Sequence, residues 1–306
     1  MTFENLRAIA HRAYRSIGDA HMMSVNTVYS NIRWGAAVIV LALPQAVAAA
    51  SPAPSAVPRI AHVTIIVMEN RDDESVAGNK NAPYFNNQLV RQGVLMTNAH
   101  AVAHPSQPNY LALFSGSTQG VTSDHCPVSF EAPNVATELM AAGLTFAGYA
   151  ESIPRDGYQG CWTALYARKH VPWADFANVP ASLNRVYHGL PSQLPSLLWI
   201  TPNMCNDMHN CSTRTGDRWL QANLPQLIAW NAKNDGLLIV TWDEAEPDRD
   251  GTNRIPTVLV GPMLRAGTTS AQRIDHYSTL RTIEAAFGLG CLQKDCSSSP
   301  IGGIWR

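Results

Sequence analysis

Two pairs of oxygen-bearing side chains come directly after two short apolar segments of the chain. Glu69 and Asn70 follow HVTIIVM, and Asp243 and Glu244 follow GLLIVTW. Carboxylates that lie close together raise one another's pKa values unless a cation lies among them. Their oxygen atoms suit a hard divalent ion, so we expect one bound Ca²⁺, Mg²⁺ or Mn²⁺ ion, with Zn²⁺ as a further candidate. The alternative is that Glu69 and Asp243 only cap the helices that follow.

A serine between two prolines is the candidate nucleophile. Ser106 lies in HPSQPNYLALFSGS, residues 104–117. Proline fixes its own φ and biases the preceding residue away from the helical region, so we expect a stiff backbone that is not helical until about Asn109. Such a backbone suits a hydroxyl that must be aimed and that a metal ion activates. An ordinary proline-rich loop is the alternative, and no G-x-S-x-G signature of acyl-transfer enzymes surrounds Ser106.

Three histidines are candidates for a site beside these acids. His209 follows Asp207 in TPNMCNDMHNC, His276 follows Asp275 in RIDHYSTLRTIE, and His170 lies in ARKHVPW. Histidine changes its charge near neutral pH and can therefore give or take a proton during a reaction. A structural histidine is the alternative in each case, and Asp275 is expected to cap its helix.

Short apolar segments alternate with amphipathic helical segments along the chain. Strands are predicted at residues 63–68, 237–242 and 255–260 and in LPSLLWITPN, and helices in NVATELMAAG, WLQANLPQLIAWNAK and YSTLRTIEAAFGLG. Continuous apolar runs rich in β-branched residues are typical of strands buried on both faces. The alternation predicts an α/β fold with a mostly parallel central sheet flanked by helices on both faces. Ligands of such sheets bind at the carboxyl ends of the strands, where the acids and histidines are expected to meet.

The composition is that of a globular protein. The chain has 306 residues, of which 46% are hydrophobic and 15% are charged, and its formal net charge is -1. A charge balance this close to zero argues against a nucleic-acid-binding protein that depends on phosphate contacts. The sequence has no internal repeat, so residues 59–306 are predicted to form a single domain.

Residues 1–50 have the pattern of an export signal. A positively charged residue precedes an apolar run from Gly35 to Leu43, and the small residues AVAAA follow. This pattern predicts a cleaved signal peptide, with a more ordinary start at Met22 or Met23, followed by a tether at 51–58. The run is shorter than the ~20 residues of a membrane span, although an uncleaved N-terminal anchor is the alternative. We therefore expect a periplasmic or secreted protein without a stable membrane span after cleavage.

All six cysteines come after the predicted cleavage site, which agrees with export to an oxidising compartment. Close spacing favours one disulfide between Cys205 and Cys211 and another between Cys291 and Cys296, which leaves Cys126 to pair with Cys161. A zinc cluster is the rival interpretation. It needs CxxC-type pairs, and the sequence has none.

Seven motifs occur in the order found in one known family. They are MEN after the first apolar segment, HPSQPNYLALFSGS, TPNMCNDMH, GDRWL, WDEAE, VGP and DHYSTLRTIE. Together they resemble the phosphoesterase family that contains bacterial acid phosphatases and phospholipases C, within the alkaline phosphatase superfamily. The resemblance spans residues 60–289. It implies an alkaline-phosphatase-like fold and a metal-dependent hydrolase that acts on small-molecule phosphoesters.

The resemblance also implies a role for each candidate residue. Ser106 matches the nucleophile that forms a phosphoserine. The metal-binding positions of the family match Glu69, Asn70, Ser106, Asp243 and Glu244. The positions near the phosphoryl oxygens or the leaving group match Asn70, His170, His209 and His276. His209 and His276 are the candidates for direct catalysis, and a protonated histidine donor favours activity below the ordinary histidine pKa of about 6.5.

Related functions are separated by smaller features of the sequence. A sulfatase needs the pattern C/S-x-P-x-R, and Tyr110 stands where the arginine is required. The larger phospholipases C of the family have extended C-terminal domains, whereas this chain ends soon after its last predicted helix. We therefore expect hydrolysis of phosphate monoesters, with a phospholipase C-type phosphodiesterase acting on phospholipid head groups as the first alternative. A non-catalytic exported binding protein of the same fold is the second alternative.

Overall fold

The computed structural model describes residues 57–306 of the chain. The predicted signal peptide, residues 1–50, lies outside the described residues, and so does the predicted tether except for its last two positions. Within 57–306, no helix is both long enough and apolar enough to cross a membrane.

Eight strands form one sheet in the described part of the chain. In chain order they are β1 His62–Met68, β2 Gly93–Met96, β3 Phe146–Ala150, β4 Asn184–Val186, β5 Leu197–Thr201, β6 Gly236–Trp242, β7 Thr257–Val260 and β8 Thr268–Ser270. Their order across the sheet is β4-β3-β5-β1-β6-β7-β2-β8. Strand β7 runs antiparallel to β6 and β2, and the other neighbouring pairs are parallel. The predicted α/β class with a mostly parallel sheet is therefore confirmed.

The central strands β5, β1 and β6 lead into the candidate site. Strand β1 pairs with β6 along its whole length, from His62 beside Gly236 to Met68 beside Trp242. All residues of β6, and all residues of β1 after His62, are buried. Burial on both faces explains why these strands are continuously apolar in sequence. Because the strands are parallel, the residues after Met68 and Trp242 leave the sheet side by side at one edge.

Among residues 57–306, five α-helices accompany the sheet, and three of them correspond to the predicted helical segments. They are α1 Val90–Gln92, α2 Ser106–Ser115, α3 Val135–Ala141, α4 Thr213–Asn231 and α5 His276–Phe287. Short 3₁₀ and π-helical turns occupy Asp73–Ser75, Phe85–Leu89, Arg168–His170, Pro172–Asp175, Ala181–Leu183 and Gln293–Ser297. Asn134, Ser212 and Asp275 cap α3, α4 and α5 with their side chains. The expected capping role of Asp275 is thus confirmed.

The start of α2 differs from the expectation drawn from the sequence. We expected no helix before Asn109, but α2 begins at Ser106, directly after Pro105. The expectation was wrong because Pro108 is the third residue of the helix. Residues of the first turn have no intrahelical acceptor for their N–H groups, so a proline there removes no helical hydrogen bond. The helix ends at Gly116, whose φ of 70° is the left-handed conformation that terminates many helices.

Three disulfides form with the predicted pairing. They link Cys126 to Cys161, Cys205 to Cys211 and Cys291 to Cys296, and the described residues contain no free cysteine. The Cys205–Cys211 bridge closes the loop between β5 and α4. The Cys126–Cys161 bridge ties the segment after α2 to the segment that precedes the Arg168–His170 turn.

Candidate active site

Ser106, the first residue of α2, lies against acids that follow two neighbouring strands. Its Oγ atom is 3.2 Å from Oε2 of Glu69 and 3.1 Å from Oε1 of Glu244. The residue is only 1% exposed. Glu69 follows β1 directly and Glu244 comes two residues after β6, so α2 brings the hydroxyl to the place where both strands end.

Asp243 and Asn70 are joined by hydrogen bonds at the ends of the same two strands. The Asn70 backbone N–H donates to Oδ1 of Asp243 at 3.0 Å, and the Asp243 N–H donates to the Met68 carbonyl at 3.0 Å. Asn70 has a φ of 51°, a left-handed conformation that asparagine adopts more readily than most residues. Its side-chain amide donates to Glu246 at 2.5 Å. Neither Glu69 nor Asp243 caps a helix of the described structure.

Four acids, here called the acid cluster, have raised pKa values because they are buried together. They are Glu69, Asp207, Asp243 and Glu244. Burial raises the pKa of Asp243 to about 7, and the charge of Glu244 adds to this shift. Burial, together with the charges of Asp243 and Asp207, raises the pKa of Glu69 well above its usual range. Burial also raises the pKa of Glu244, although a hydrogen bond from His104 opposes it. Acids in such surroundings hold a proton or a cation.

Three buried oxygen atoms of residues that follow β1, β5 and β6 have no hydrogen-bond donor among residues 57–306. They are Oδ1 of Asn70, Oδ2 of Asp207 and Oδ2 of Asp243. Buried polar atoms are nearly always paired, and an unpaired carboxylate oxygen is costly unless a cation coordinates it. The free oxygens of Asn70 and Asp243 therefore fit a divalent metal ion at the ends of β1 and β6.

His170 and Tyr110 approach the other oxygen of Glu69. Oε1 of Glu69 accepts a hydrogen bond from the Tyr110 hydroxyl at 2.6 Å. The same oxygen lies 3.1 Å from Nε2 of His170, but the angles of this second contact are not those of a hydrogen bond. The Tyr110 and His170 rings are stacked. Nδ1 of His170 lies 3.6 Å from Oδ2 of Asp207. These contacts place His170 within the acid cluster.

His209 lies near His170 and is a further candidate metal ligand. The centroids of the two rings are 5.5 Å apart. One ligand atom from each ring and one from Glu69 lie within 4.8 Å of one another, so these three residues could hold a metal ion. Burial lowers the pKa of His170 well below its usual value, and the charges of Lys169 and His209 add to the effect. A metal ligand must be an unprotonated imidazole, and a lowered pKa favours that form of His170.

The loop that carries Asp207 and His209 is anchored onto the end of β1. The Glu69 N–H donates to the Asp207 carbonyl at 2.8 Å. Arg71 donates to the carbonyls of Asn70 and Cys211 at 2.5 and 2.7 Å. The His209 N–H donates to Oδ1 of Asp207 at 2.7 Å. These bonds fix the loop position against the strand that supplies Glu69.

His276 contacts the acid cluster through the main chain of Asp243 and not through a carboxylate. It is the first residue of α5, and its Nε2 atom donates to the main-chain carbonyl of Asp243 at 2.7 Å. Burial lowers the pKa of His276, although the hydrogen bond to Asp243 opposes this shift. The neighbouring Asp275 accepts the Ser278 N–H as the helix cap. The His276 ring thus supports the position of Asp243.

Four residues of the site carried little or no signal in the sequence. His104 contacts the carboxylate of Glu244, and Lys169 donates to Asp124 at 2.6 Å. Tyr110 could have been found, because it lies one helical turn after the candidate nucleophile and therefore on the same face of α2. Lys169 and Asp124 are separated by 45 residues, and no local pattern joins them.

The arrangement as a whole suits nucleophilic substitution at a negatively charged centre. A buried hydroxyl could act as a nucleophile, and the surrounding acids offer oxygen ligands for a cation. Imidazole rings nearby can exchange protons with a substrate.

Comparisons of the sequence identify similar proteins over most of the chain. The model of the Phosphoesterase family matches residues 79–290. The phosphatidylinositol-3-phosphatase of Mycobacterium tuberculosis is 43% identical over 300 residues, which cover 96% of this chain and 95% of that protein. The acid phosphatase of Aspergillus fumigatus is 31% identical, and the phosphate-repressible acid phosphatase of Penicillium chrysogenum is 32% identical, each over 259 residues and 76% of this chain. The chain spans 56% and 61% of the lengths of these two fungal proteins.

Solved structures share the fold at low sequence identity. A protein of the alkaline phosphatase superfamily from Vibrio parahaemolyticus aligns with a TM-score of 0.57 and 10% identity, over 81% of this chain and 72% of its own. The lipoteichoic acid synthase LtaP from Listeria monocytogenes aligns with a TM-score of 0.54 and 10% identity, over 78% and 74% of the two chains. These likenesses confirm the predicted alkaline-phosphatase-like fold.

Proposed function

This chain belongs to the Phosphoesterase family and is a phosphoric ester hydrolase, and we propose that it is an exported, metal-dependent phosphomonoesterase with Ser106 as nucleophile. The observation that supports this proposal most is the position of Ser106 Oγ, 3.2 Å from Glu69 and 3.1 Å from Glu244. A hydroxyl in this position can attack phosphorus when a cation lies among the acids. Residues 59–306 form the catalytic domain in this proposal.

The proposed metal ligands come from both strand ends. They are Glu69, Asn70, Ser106, Asp243 and Glu244. The unpaired oxygens of Asn70 and Asp243 support this set. When bound, the cation lowers the pKa of the serine hydroxyl and offsets negative charge on the phosphoryl group. Oxygen ligands favour Ca²⁺, Mg²⁺ or Mn²⁺, and the imidazoles of His170 and His209 beside Glu69 keep Zn²⁺ as a candidate.

The reaction proceeds in two displacements at phosphorus. Ser106 Oγ attacks, the bond from phosphorus to the leaving oxygen breaks, and the serine proton passes to Glu69 or Glu244, each of which has an oxygen within hydrogen-bond distance of the hydroxyl. A protonated histidine gives a proton to the leaving oxygen. With the cation on the oxygen ligands, His209 suits this step because it is half-buried, whereas His276 is buried and holds Asp243 in position. A Zn²⁺ ion bound by His209 would exclude this role, because a metal ligand must be unprotonated. Water then attacks the phosphoserine and gives a proton to the histidine, the bond from phosphorus to Ser106 Oγ breaks, and the acid returns its proton to Ser106, which releases inorganic phosphate.

The names of the relatives support two kinds of monoester substrate. The fungal relatives are acid phosphatases, and the relative from Mycobacterium tuberculosis is a phosphatidylinositol-3-phosphatase. The phosphate on position 3 of that lipid is itself a monoester, so both substrates require the same chemistry. The 43% identity to the mycobacterial protein extends over nearly the whole chain. A phosphoinositide monoester is therefore the second candidate substrate.

Three substrates compared side by side test this proposal. They are p-nitrophenyl phosphate, p-nitrophenylphosphorylcholine and a short-chain phosphatidylinositol 3-phosphate. We expect faster turnover of the two monoesters than of the choline diester, and the reverse order would favour the phospholipase C alternative. No turnover of any substrate by protein with a normal circular dichroism spectrum would favour the non-catalytic binding protein. Ser106→Ala serves as the control for contaminating phosphatases.

Export is supported by the predicted signal peptide and by the three disulfides, since disulfides persist in oxidising compartments. We expect the full chain to be found outside the cytoplasm with a mature N-terminus near residue 51, and a variant without residues 1–50 to stay inside. Cytoplasmic retention of both proteins would contradict export.

A further inference from the structure

Lys169 places a buried positive charge beside the acid cluster. The residue is 8% exposed, and its Nζ atom donates to Oδ2 of Asp124 at 2.6 Å. An ammonium group has three N–H donors, and within residues 57–306 this one makes a single hydrogen bond. Two donors remain for another group. A buried ammonium is costly when its donors lack partners, so the position of Lys169 needs an explanation.

Asp124 connects this ammonium to the backbone next to the proposed nucleophile. Its second oxygen, Oδ1, accepts the N–H of Gln107 at 3.0 Å, and Gln107 directly follows Ser106 in α2. The side chain of Gln107 in turn accepts the His125 N–H at 2.7 Å, which holds the Asp124 segment against the helix. One carboxylate therefore fixes the Lys169 ammonium beside the first turn of α2.

The Arg168–His170 turn, which carries Lys169, also contacts Glu69 of the acid cluster. The next residue, His170, has its Nε2 atom 3.1 Å from Oε1 of Glu69. All three residues of the Arg168–His170 turn are buried. Burial raises the pKa values of Glu69 and Asp207, and the positive charge of Lys169 lies close enough to oppose both shifts. The ammonium is thus anchored at the nucleophile side and lies within electrostatic reach of the cluster.

The proposed reaction needs a positive group in this place. A phosphate monoester dianion has to enter a site in which Glu69, Asp207, Asp243 and Glu244 are all buried. One divalent cation offsets only part of that negative charge, and the transition state spreads charge over the non-bridging phosphoryl oxygens. Preorganised donors aimed at such oxygens lower the barrier, and lysine is a compact donor that binds phosphate.

We propose that Lys169 is a catalytic residue that donates hydrogen bonds to a non-bridging oxygen of the transferring phosphoryl group, and that Asp124 is its positioning residue. This role rests on the proposed phosphomonoesterase function and includes no covalent step at the lysine. The charge matters most for a dianionic monoester and less for a monoanionic diester. A salt bridge that only stabilises the fold would affect both substrates equally.

Lys169→Met, which keeps the length of the side chain and removes its charge, tests the proposal. Lys233→Met, at an exposed lysine, is the matched control. We expect Lys169→Met to lower kcat/KM about 100-fold for p-nitrophenyl phosphate and less than about 10-fold for methyl p-nitrophenyl phosphate. The control should behave as the wild type with both substrates. Equal losses for the two substrates, or no loss for the monoester, would overturn the proposal.

Asp124→Asn tests the positioning role, because asparagine keeps an acceptor for the Gln107 N–H and removes the charge. We expect a smaller loss than in Lys169→Met, confined to the monoester. Equal losses for monoester and diester would assign Asp124 to fold stability alone and remove its positioning role.

Chemical labelling of the wild-type protein covers the case in which Lys169→Met does not fold. Lysines are reductively methylated with and without inorganic phosphate, and the peptides are analysed by mass spectrometry. We expect phosphate to protect Lys169 and to leave Lys233 unchanged. Equal labelling of Lys169 under both conditions would overturn the proposal.

Ser106→Ala separates this inference from the proposed function. Loss of activity in Ser106→Ala together with normal selectivity in Lys169→Met would leave the phosphomonoesterase in place and remove the role of Lys169. Wild-type activity in Ser106→Ala would instead overturn the proposed function itself.

Discussion

The hydroxyl oxygen of Ser106 lies 3.1 Å from a carboxylate oxygen of Glu244, although 138 residues separate the two in the chain. The contact exists because α2 begins at Ser106 and meets the segment that follows β6. One turn later in the same helix, Tyr110 donates to Glu69 at 2.6 Å. Helix α2 therefore sets the distances from the hydroxyl to both acids on which the proposed chemistry depends.

Ser106→Ala should lower kcat by at least about 1,000-fold, because the variant lacks the oxygen that attacks phosphorus. The fold should survive, since the hydroxyl contacts only the carboxylates of Glu69 and Glu244 and supports no helix. Activity and thermal unfolding are measured in parallel, with the exposed Ser299→Ala as control. Near-normal turnover in Ser106→Ala would rule out a phosphoserine at this position.

Removal of divalent cations should abolish activity, and their return should restore it. Asp243→Asn should weaken metal binding by at least the ~10-fold that loss of a residue supporting a ligand costs, since it neutralises a proposed ligand itself and keeps an oxygen that can accept the Asn70 N–H. Metal content by mass spectrometry and activity are measured on the same samples. Full activity of verified metal-free protein would contradict the metal dependence.

The Cys205–Cys211 disulfide should matter for activity as well as for stability. Its two cysteines are 6 residues apart, and those of Cys291–Cys296 are 5 apart, so loss of either bridge should lower the free energy of unfolding by about 2 kcal/mol. Only the first bridge closes the loop that carries Asp207 and His209. We expect kcat/KM to fall in Cys205→Ser/Cys211→Ser and to stay near wild type in Cys291→Ser/Cys296→Ser. Equal kinetics in the two double variants would contradict this role of the loop.

Glu284 should make the folded state less stable as pH rises. Burial raises the pKa of Glu284 to about 10, from an ordinary value of 4.5; the neighbouring acid Asp295 adds to the shift, and Arg281, 3.2 Å away, opposes it. The folded state therefore binds a proton more tightly than the unfolded state, and this contribution is fully present below about pH 4.5 and is lost as pH rises toward 10.

Glu284→Gln mimics the protonated form and should flatten this dependence. We expect unfolding midpoints close to wild type in acid and higher than wild type at alkaline pH, measured by chemical denaturation across the pH range. Glu131→Gln, at an exposed acid, should follow the wild-type curve. A Glu284→Gln curve parallel to wild type would show that Glu284 is already ionised in the fold.

The pH–rate profile should have its maximum on the acid side, because the leaving group receives its proton from a histidine. We expect activity to be lower on the alkaline side of the profile in the wild type and this pH dependence to weaken in His209→Gln. His188→Gln, at an exposed histidine, should keep the wild-type profile. A maximum well above about pH 8 would contradict a histidine donor.

The long buried strands and the capped helices could be predicted from the sequence. Strands β1, β5, β6 and β7 show continuous apolar runs, and α3 to α5 show helical periodicity with clear ends. Strands β2, β3, β4 and β8 have three to five residues and were not predicted. Strand β3 is FAGYA, whose glycine and alanines have little preference for strands, so only pairing with β5 and β4 makes it one.

The acids of the site were predictable because each follows a central parallel strand, and such strands end at one edge of the sheet. Their proximity to Ser106 follows from the same topology, whereas their catalytic roles stay predictions. The pairing of Lys169 with Asp124 could not be predicted, because it depends on how a buried turn packs against the first turn of α2.

A crystal structure with vanadate and a divalent cation bound tests the central claim most directly. The claim is that the hydroxyl of Ser106 and the acids at the ends of β1 and β6 share one cation. We predict vanadium bonded to Ser106 Oγ and a cation coordinated by oxygens of Glu69 and Asp243. Vanadate bound away from Ser106, or a cation that touches neither acid, would contradict the account.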